Sequence, residues 1–282
     1  MSTPYHLIEP CAGSAALTMH MLGARRALMP YQGHKWRVRR QLAYLVEDMV
    51  GSGPPTDIVL TDPAPWGTAM GVILDRGKRR EVVEILCEYE DQDPRDVYDE
   101  LHNAPVPIDE IVFTAEFLFL QRLAFSCKAV GSVGGMWKSP GFNKSSAYGT
   151  AATEKFKVIY PMIPSLIRTL LSYDDALRED VVVTSQRARA QDTIPKKLKR
   201  RTVVYIDPEY KDTTPYPDGV MTRQDVVDLA LAYKDLGASV IISEGEMIME
   251  LMELGWKCQK LRVGRNDTSN FRGQHPEWVT FL

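Results

Sequence analysis

The chain is poor in the residues that build metal and disulfide frameworks. Its 282 residues include four cysteines and five histidines. Cys11, Cys87, Cys127 and Cys258 are widely spaced, with no Cys-x-x-Cys pair, which argues against a zinc site. Reduced thiols in a cytosolic protein are the simplest reading. His6, His20, His34, His102 and His275 show no metal-ligand spacing and read as structural, so no metal is expected. No apolar run reaches the ~18 residues needed to span a bilayer. The amino terminus lacks the charged-then-apolar pattern of a signal peptide. The expected location is therefore the cytoplasm, with no membrane partner. Neither Gly-x-Gly-x-x-Gly nor Gly-x-x-x-x-Gly-Lys is present, which excludes the standard phosphate cradles. Internal repeats and low-complexity tracts are also lacking. So is a charge excess: 34 basic against 37 acidic residues give a net charge of −3, and any case for nucleic acid must rest on local clustering.

What is there is an ordinary globular composition, 44% hydrophobic and 25% charged, long enough for one large domain or a domain with an insert. Strand patterns recur at about 5–9, 57–61, 181–184, 202–206, 238–242 and 258–263. Helical patterns lie between them at about 14–22, 37–49, 76–90, 109–125, 161–177, 222–236 and 246–254. Such alternation predicts an α/β fold built on a doubly wound mixed sheet. Thr222 reads as a helix cap, and Gly237 and Gly255 as helix stops. Between the strands at 57–61 and 181–184 the chain is mostly helical, with one glycine-rich loop. Residues 1–91 and 161–282 are read as the main domain, and 92–160 as an inserted recognition region. A helical cap with no role in recognition is the alternative for the insert.

Two stretches carry chemistry. Val203-Val204-Tyr205-Ile206-Asp207-Pro208-Glu209-Tyr210 is a buried strand ending in Asp-Pro-x-aromatic. Pro208 lacks the N–H a ladder needs, so the strand stops and leaves a carboxylate and a ring at its carboxyl end, where open α/β sheets bind ligands. An acceptor beside a stacking face suits an exocyclic amine on a flat base; an ordinary Asp-Pro turn gives the same pattern. Tyr5-His6-Leu7-Ile8-Glu9-Pro10-Cys11-Ala12-Gly13-Ser14-Ala15-Ala16 is a strand, an acid, a turn of small residues and a helix start. Small residues let a ligand approach the backbone closely. A third segment, Ile58-Val59-Leu60-Thr61-Asp62-Pro63-Ala64-Pro65-Trp66, also closes a strand with Asp-Pro. Asp62 fits a cofactor-ribose position, with catalysis or a simple turn as alternatives.

Together these blocks resemble the DNA adenine methyltransferase (Dam) family of S-adenosylmethionine-dependent enzymes. The family's cofactor loop is matched by Glu9-Pro10-Cys11-Ala12-Gly13-Ser14-Ala15. Its Asp-Pro-Pro-Tyr loop is matched by Asp207-Pro208-Glu209-Tyr210, and its aromatic-Gly-Lys segment by Tyr31-Gln32-Gly33-His34-Lys35-Trp36. The tail from Arg262 to Leu282 is similar to the closing hairpin. The sequence departs from the family in three ways: the Gly-Lys segment follows the cofactor loop, Ala15 stands near the family's second glycine or serine, and Glu209 replaces the second proline. The resemblance implies a Rossmann-like methyltransferase fold with a target-recognition insert. It also implies methyl transfer to N6 of adenine in duplex DNA after base flipping. The compact length suggests a short or loose sequence preference, and restriction protection, phage self-marking and gene regulation are all open as its role. The resemblance implies Asp207, Pro208 and Tyr210 as catalytic. For S-adenosyl-L-methionine it implies Glu9, Cys11, Gly13, Ser14, Tyr31, Lys35, Asp62, Thr184 and Ser185. Glu209 keeps two alternatives open: another base or RNA as substrate, or a non-catalytic nucleic-acid-binding homologue.

Candidate nucleic-acid contacts come from local clusters. Arg187, Arg189, Lys196, Lys197, Lys199, Arg200 and Arg201 crowd fifteen residues before the catalytic strand and are expected to hold phosphates, or else to be a solvated loop. The stretch from Gly134 to Gly149, with Trp137, Lys138, Asn143, Lys144 and Tyr148, mixes aromatics, lysines and glycines in a manner suited to stacking and phosphate contact. The hairpin tip adds Arg265, Asn266, Asn270 and Arg272.

Overall fold

The computed structural model of the protein describes residues 4–29, 35–51, 53–124, 130–143, 163–178, 180–199, 201–208, 221–261 and 277–282. The strands are β1 (Tyr5–Glu9), β2 (Pro55–Asp62), β3 (Gly131–Val133), β4 (Met136–Lys138), β5 (Val182–Arg187), β6 (Thr202–Ile206), β7 (Ser239–Glu244), β8 (Lys257–Leu261) and β9 (Glu277–Phe281). The helices are α1 (Ala16–Met21), α2 (Arg39–Val50), α3 (Trp66–Leu74), α4 (Arg76–Glu90), α5 (Pro94–Asn103), α6 (Glu110–Leu123), α7 (Ile163–Ser172), α8 (Arg223–Asp235) and α9 (Met249–Met252).

Seven strands form one mixed sheet in the order β5-β2-β1-β6-β7-β9-β8; β3 and β4 form a separate antiparallel hairpin. The pairs from β5 to β7 are parallel, and β9 runs antiparallel to both of its neighbours. Parallel strands need cover on both faces, and the central β6 is buried at every position. Alternate residues divide between two cores. Leu7, Val203, Tyr205 and Ile241 join the larger one, under α1 to α7. Ile8, Val204, Ile206, Val240 and Ile242 face α8, α9 and the 3-10 turn Ala190–Thr193. The edge strands β5 and β8 are mostly exposed. The strand order reverses between β1 and β6, and in open α/β sheets the carboxyl ends at such a reversal are where ligands bind.

Thr222 caps α8 in a two-way capping box: its hydroxyl accepts from the Asp225 N–H, and the Asp225 carboxylate accepts from the Thr222 N–H. Two helices lie outside the predicted ones. α3 is apolar on nearly all sides, so it shows no amphipathic period; it is buried between the sheet and α6. α5 starts at Asp93-Pro94, where the Asp93 carboxylate accepts from the N–H groups of Arg95 and Asp96. The described part of the expected insert is not a separate layer. Phe113 to Leu123 of α6 are buried throughout, and they share the larger core with α3, α4 and Trp137. No helix among the described residues is long and apolar enough to cross a membrane.

Gly67 sets how closely α3 approaches the sheet. A Cβ there would sit 2.6 Å from both Arg187 Cα and the Gln186 carbonyl oxygen, and closer still to the Asp62 carbonyl oxygen. None of these backbone atoms can swing away. Gly67→Ala is expected to cost about 1–3 kcal/mol by overpacking, lowering Tm by roughly 3–10 °C. Gly71→Ala on the same helix meets its nearest atom at 3.6 Å, an ordinary contact, and should leave Tm unchanged or raise it. Equal melting shifts for the two variants in calorimetry would contradict this account.

Candidate functional site

Three neighbouring strands end in an acid followed by proline. β2 closes at Asp62-Pro63, β1 at Glu9-Pro10, and β6 is followed by Asp207-Pro208. A proline cannot extend the ladder, so each carboxylate is left at a strand's carboxyl end. The order β2-β1-β6 then brings the three acids to one edge, across the reversal point.

Asp62 is built into the turn after β1. Its Oδ2 accepts from the Gly13 N–H at 2.8 Å and its Oδ1 from the Ala64 N–H at 2.9 Å. The Ala12 N–H donates to the Thr61 carbonyl at 3.0 Å, so the small-residue turn is tied to the end of β2. Gly13 has φ +49°, and its Cβ position faces open space. Ala15, buried and at φ 47°, takes a left-handed conformation that glycine adopts more easily. Trp66, the aromatic of the Asp62 segment, is buried edge-on against Phe117 and offers no ring to a ligand.

Glu9 is 1% exposed. Its Oε1 accepts from the Thr18 N–H at 2.9 Å and also bonds the Thr18 hydroxyl, so the acid ending β1 caps the helix after it. Burial outweighs these bonds and pushes the carboxyl up to about 7.

The densest charge is around Lys35, in a 3-10 turn just before α2. Its buried ammonium lies 2.9 Å from Asp207 Oδ1 and 2.8 Å from Glu277 Oε1. Burial opposes its charge, but the two carboxylates prevail and hold the group above the usual lysine range. Asp207 is raised to about 6, mainly by burial, with Lys35 pulling down and Glu277 pushing up. Among the described residues Asp207 Oδ2 has no hydrogen-bond partner, and a quarter of the side chain is exposed. Tyr205 bonds Ser243 across β6 and β7 at 2.9 Å, beneath the cluster. Glu244, buried at the end of β7, is pushed up to about 7 by burial, partly offset by Arg223, whose Nη1 is 3.9 Å from Glu244 Oε1.

Sequence reading did not find Glu244, Glu277 or Arg223. Glu244 carries the same signal as the other strand-ending acids, without the proline. Glu277 opens an otherwise apolar strand. Only the antiparallel seating of β9 puts that opening at the carboxyl edge, with Trp278 opposite Glu244.

Other predicted residues are scattered. Cys11 Sγ lies 3.4 Å from Met221 Sδ, and Ser14 is buried in the same turn. The hydroxyls of Thr184 and Ser185 bond the Ile58 and Gly67 carbonyls within β5, before the strand's carboxyl end, so they brace its neighbours. Trp137 was expected to stack on a base. It is instead 1% exposed, packed on Phe113 and Phe117, and its indole N–H donates to Glu116 at 2.8 Å, because the hairpin folds it into the larger core. The Asn143 N–H is used by the Leu123 carbonyl at 2.7 Å.

The basic cluster splits. Arg187 lies at the carboxyl end of β5, donating to the Pro63 carbonyl and to Ser132, with exposed Arg189 beyond it. Lys138, also exposed, lies in the same hairpin as Ser132. Thr193, earlier in this segment, sits against Thr61 at the carboxyl end of β2, whereas Lys199 and Arg201 lie at the opposite edge, because β6 begins at Thr202 and runs away from them. Lys199 pairs there with Asp57, and the Arg201 carbonyl accepts from His6 at the start of β1. Tyr31, Gly33, His34, Lys144, Tyr148, Arg200, Glu209, Tyr210, Arg265, Asn266, Asn270 and Arg272 lie outside the described residues.

A cavity of about 370 Å³ opens elsewhere, between α3, α4 and residues 173–183. The buried Arg79 beside it is committed to Asp174 and the Ile73 carbonyl, so it braces the fold. Among the described residues, no group of three His, Cys, Asp or Glu side chains is arranged to hold a metal ion.

The carboxyl of Glu9 gives a stability prediction. Its value in the unfolded chain is 4.5 and in the folded protein about 7. Between these values the native state keeps a proton that the unfolded state has lost, so stability falls as pH rises through that window. Glu9→Gln, which keeps an acceptor for Thr18, should be more stable than the parent by about 1–3 kcal/mol at pH 8 and nearly equal at pH 4.5. Urea unfolding at the two pH values tests this, and a pH-independent difference would refute it. Neither known family models nor curated protein sequences show a match to this chain.

Proposed function

We propose that the protein is an S-adenosylmethionine-dependent methyltransferase of Rossmann-like fold, acting on the exocyclic N6 amine of adenine in DNA. The carrying observation is the convergence of Glu9, Asp62 and Asp207 at one sheet edge, in a site richer in carboxylate than in cation. Glu9, Asp207, Glu244 and Glu277 face Lys35 and Arg223, and burial raises three of the four acids. Such a site favours a cationic organic ligand, which fits a sulfonium cofactor. Glu9, Gly13 and Asp62 would hold the cofactor on the β1–β2 side, where the Gly13 Cβ position faces open space. When bound, S-adenosylmethionine supplies an electrophilic methyl group.

The remaining chemistry belongs to the chain. Asp207 Oδ1 is held by Lys35, which leaves Oδ2 to accept an N–H of the target amine and draw its lone pair out of the ring. The same oxygen takes the proton that the nitrogen must shed once it carries the methyl group. The Pro208 carbonyl serves as the second acceptor, and Tyr210 as the stacking face for an extruded base. Arg187, Arg189 and Lys138 are the described basic residues suited to phosphate on this side.

The acid excess at the carboxyl edge and the departure of Lys199 and Arg201 to the far edge favour a second reading: another amine-bearing substrate, such as RNA adenine or N4 of cytosine. One assay separates the two. Labelled methyl transfer to duplex DNA, single-stranded DNA and RNA in competition, followed by nucleoside mass spectrometry, should yield N6-methyladenine from DNA. Asp207→Ala should lower the rate roughly 100-fold or more. Product on RNA or on cytosine would move the assignment to the second reading. Cofactor binding without product on any substrate would refute both.

A further inference from the structure

The proposed reaction uses Asp207, but the geometry around it extends to the last strand. Lys35 reaches Asp207 with one N–H and Glu277 with another, at 2.9 and 2.8 Å. The three groups come from three parts of the chain: the turn before α2, the end of β6 and the start of β9. A lysine ammonium is a point charge on a flexible four-carbon stem, so one partner alone does not fix its position. With two carboxylates on different elements its position is determined, and so is the Asp207 oxygen it occupies.

We propose that Glu277 is a positioning residue for Asp207: it seats the Lys35 ammonium so that Lys35 takes Oδ1 and leaves Oδ2 turned to the amine. This rests on the methyl-transfer reading for what Oδ2 does, but not for how it is held. Glu277 has a second effect through charge. An ammonium directly on Asp207 would by itself make the carboxylate a poor proton acceptor. Glu277 offsets that charge and restores the basicity needed to accept the amine proton. Among the described residues, the other charged or titratable groups facing Asp207 are Glu9 from β1, Tyr205 from β6 and Glu244 from β7, the last beside Arg223 of α8. None of these bridges to Lys35 within hydrogen-bond distance.

The test uses two variants whose effects must be opposite. Glu277→Gln keeps a carbonyl oxygen for Lys35 and removes the compensating charge, so the Asp207 titration should move down by roughly one pH unit. Lys35→Met removes the ammonium, so the titration should move up. The carboxyl carbon of Asp207, assigned by its absence in Asp207→Asn, is followed by carbon-13 NMR against pH in the full-length protein. The acid limb of the kcat/KM profile for methyl transfer should move in the same two directions. Glu277→Asp, which keeps the charge, should restore the parent limb with a reduced kcat.

If the NMR titrations move oppositely but no methyl transfer occurs, the coupling of Glu277 to Asp207 through Lys35 stands and the functional reading fails; if methyl transfer occurs and Glu277→Asp keeps the parent kcat, the positioning role is wrong. If methyl transfer occurs and neither variant moves the Asp207 titration, the positioning role is wrong. Should Glu277→Gln unfold, the Lys35→Met titration alone decides, since an unchanged or lowered midpoint there also overturns the proposal.

Discussion

A lysine ammonium is not buried without counter-charge, and meeting that requirement at Lys35 organises the carboxyl edge of the sheet. The amine is nearly closed to solvent and held by two carboxylates at hydrogen-bond distance. Losing both carboxylates would leave the buried ammonium uncompensated, which costs several kcal/mol. The contact therefore fixes three elements distant in sequence: the turn before α2, the carboxyl end of β6 and the opening residue of β9. Because β9 is antiparallel to both of its neighbours, its first residue lies at the same edge as their last residues.

The sheet supplies the frame for this contact. Parallel strands buried on both faces leave few places for polar groups, and the carboxyl ends are one of them. Proline after each acid stops β1, β2 and β6, so their carboxylates emerge rather than continue in the ladder. Two of these acids do structural work at the same time. Asp62 ties the turn after β1 to β2 through Gly13 and Ala64, and Glu9 caps α1 through Thr18. Such acids hold the turn's shape before any ligand arrives, and pre-formed geometry reduces the ordering cost of binding.

The electrostatic character of the edge follows from the same burial. Glu9, Asp207 and Glu244 lie above the ordinary carboxyl range because desolvation penalises their charged forms more than nearby cations reward them. Groups poised between about 6 and 7 change protonation in the physiological range. Lys199 and Arg201, just before β6, are carried to the opposite edge by the direction of the strand. The polarity of a parallel sheet thus separates charges that look contiguous in the chain.

The sequence by itself determined the α/β alternation, most strand positions, the Thr222 cap and the three acid-proline strand ends. Each depends on local rules: hydrophobic period, hydroxyl capping and the missing N–H of proline. It did not reveal α3, whose even apolarity erases the period, nor the burial of Trp137, whose glycine-rich surroundings resemble those of an exposed loop. Tertiary structure decided which strand ends are neighbours. That adjacency follows from sheet order, which reverses at β1, and from the single antiparallel strand that returns Glu277 to the edge. No local pattern encodes that Lys35, Asp207 and Glu277 meet, because the contact is set by packing between elements up to 242 residues apart (277 − 35).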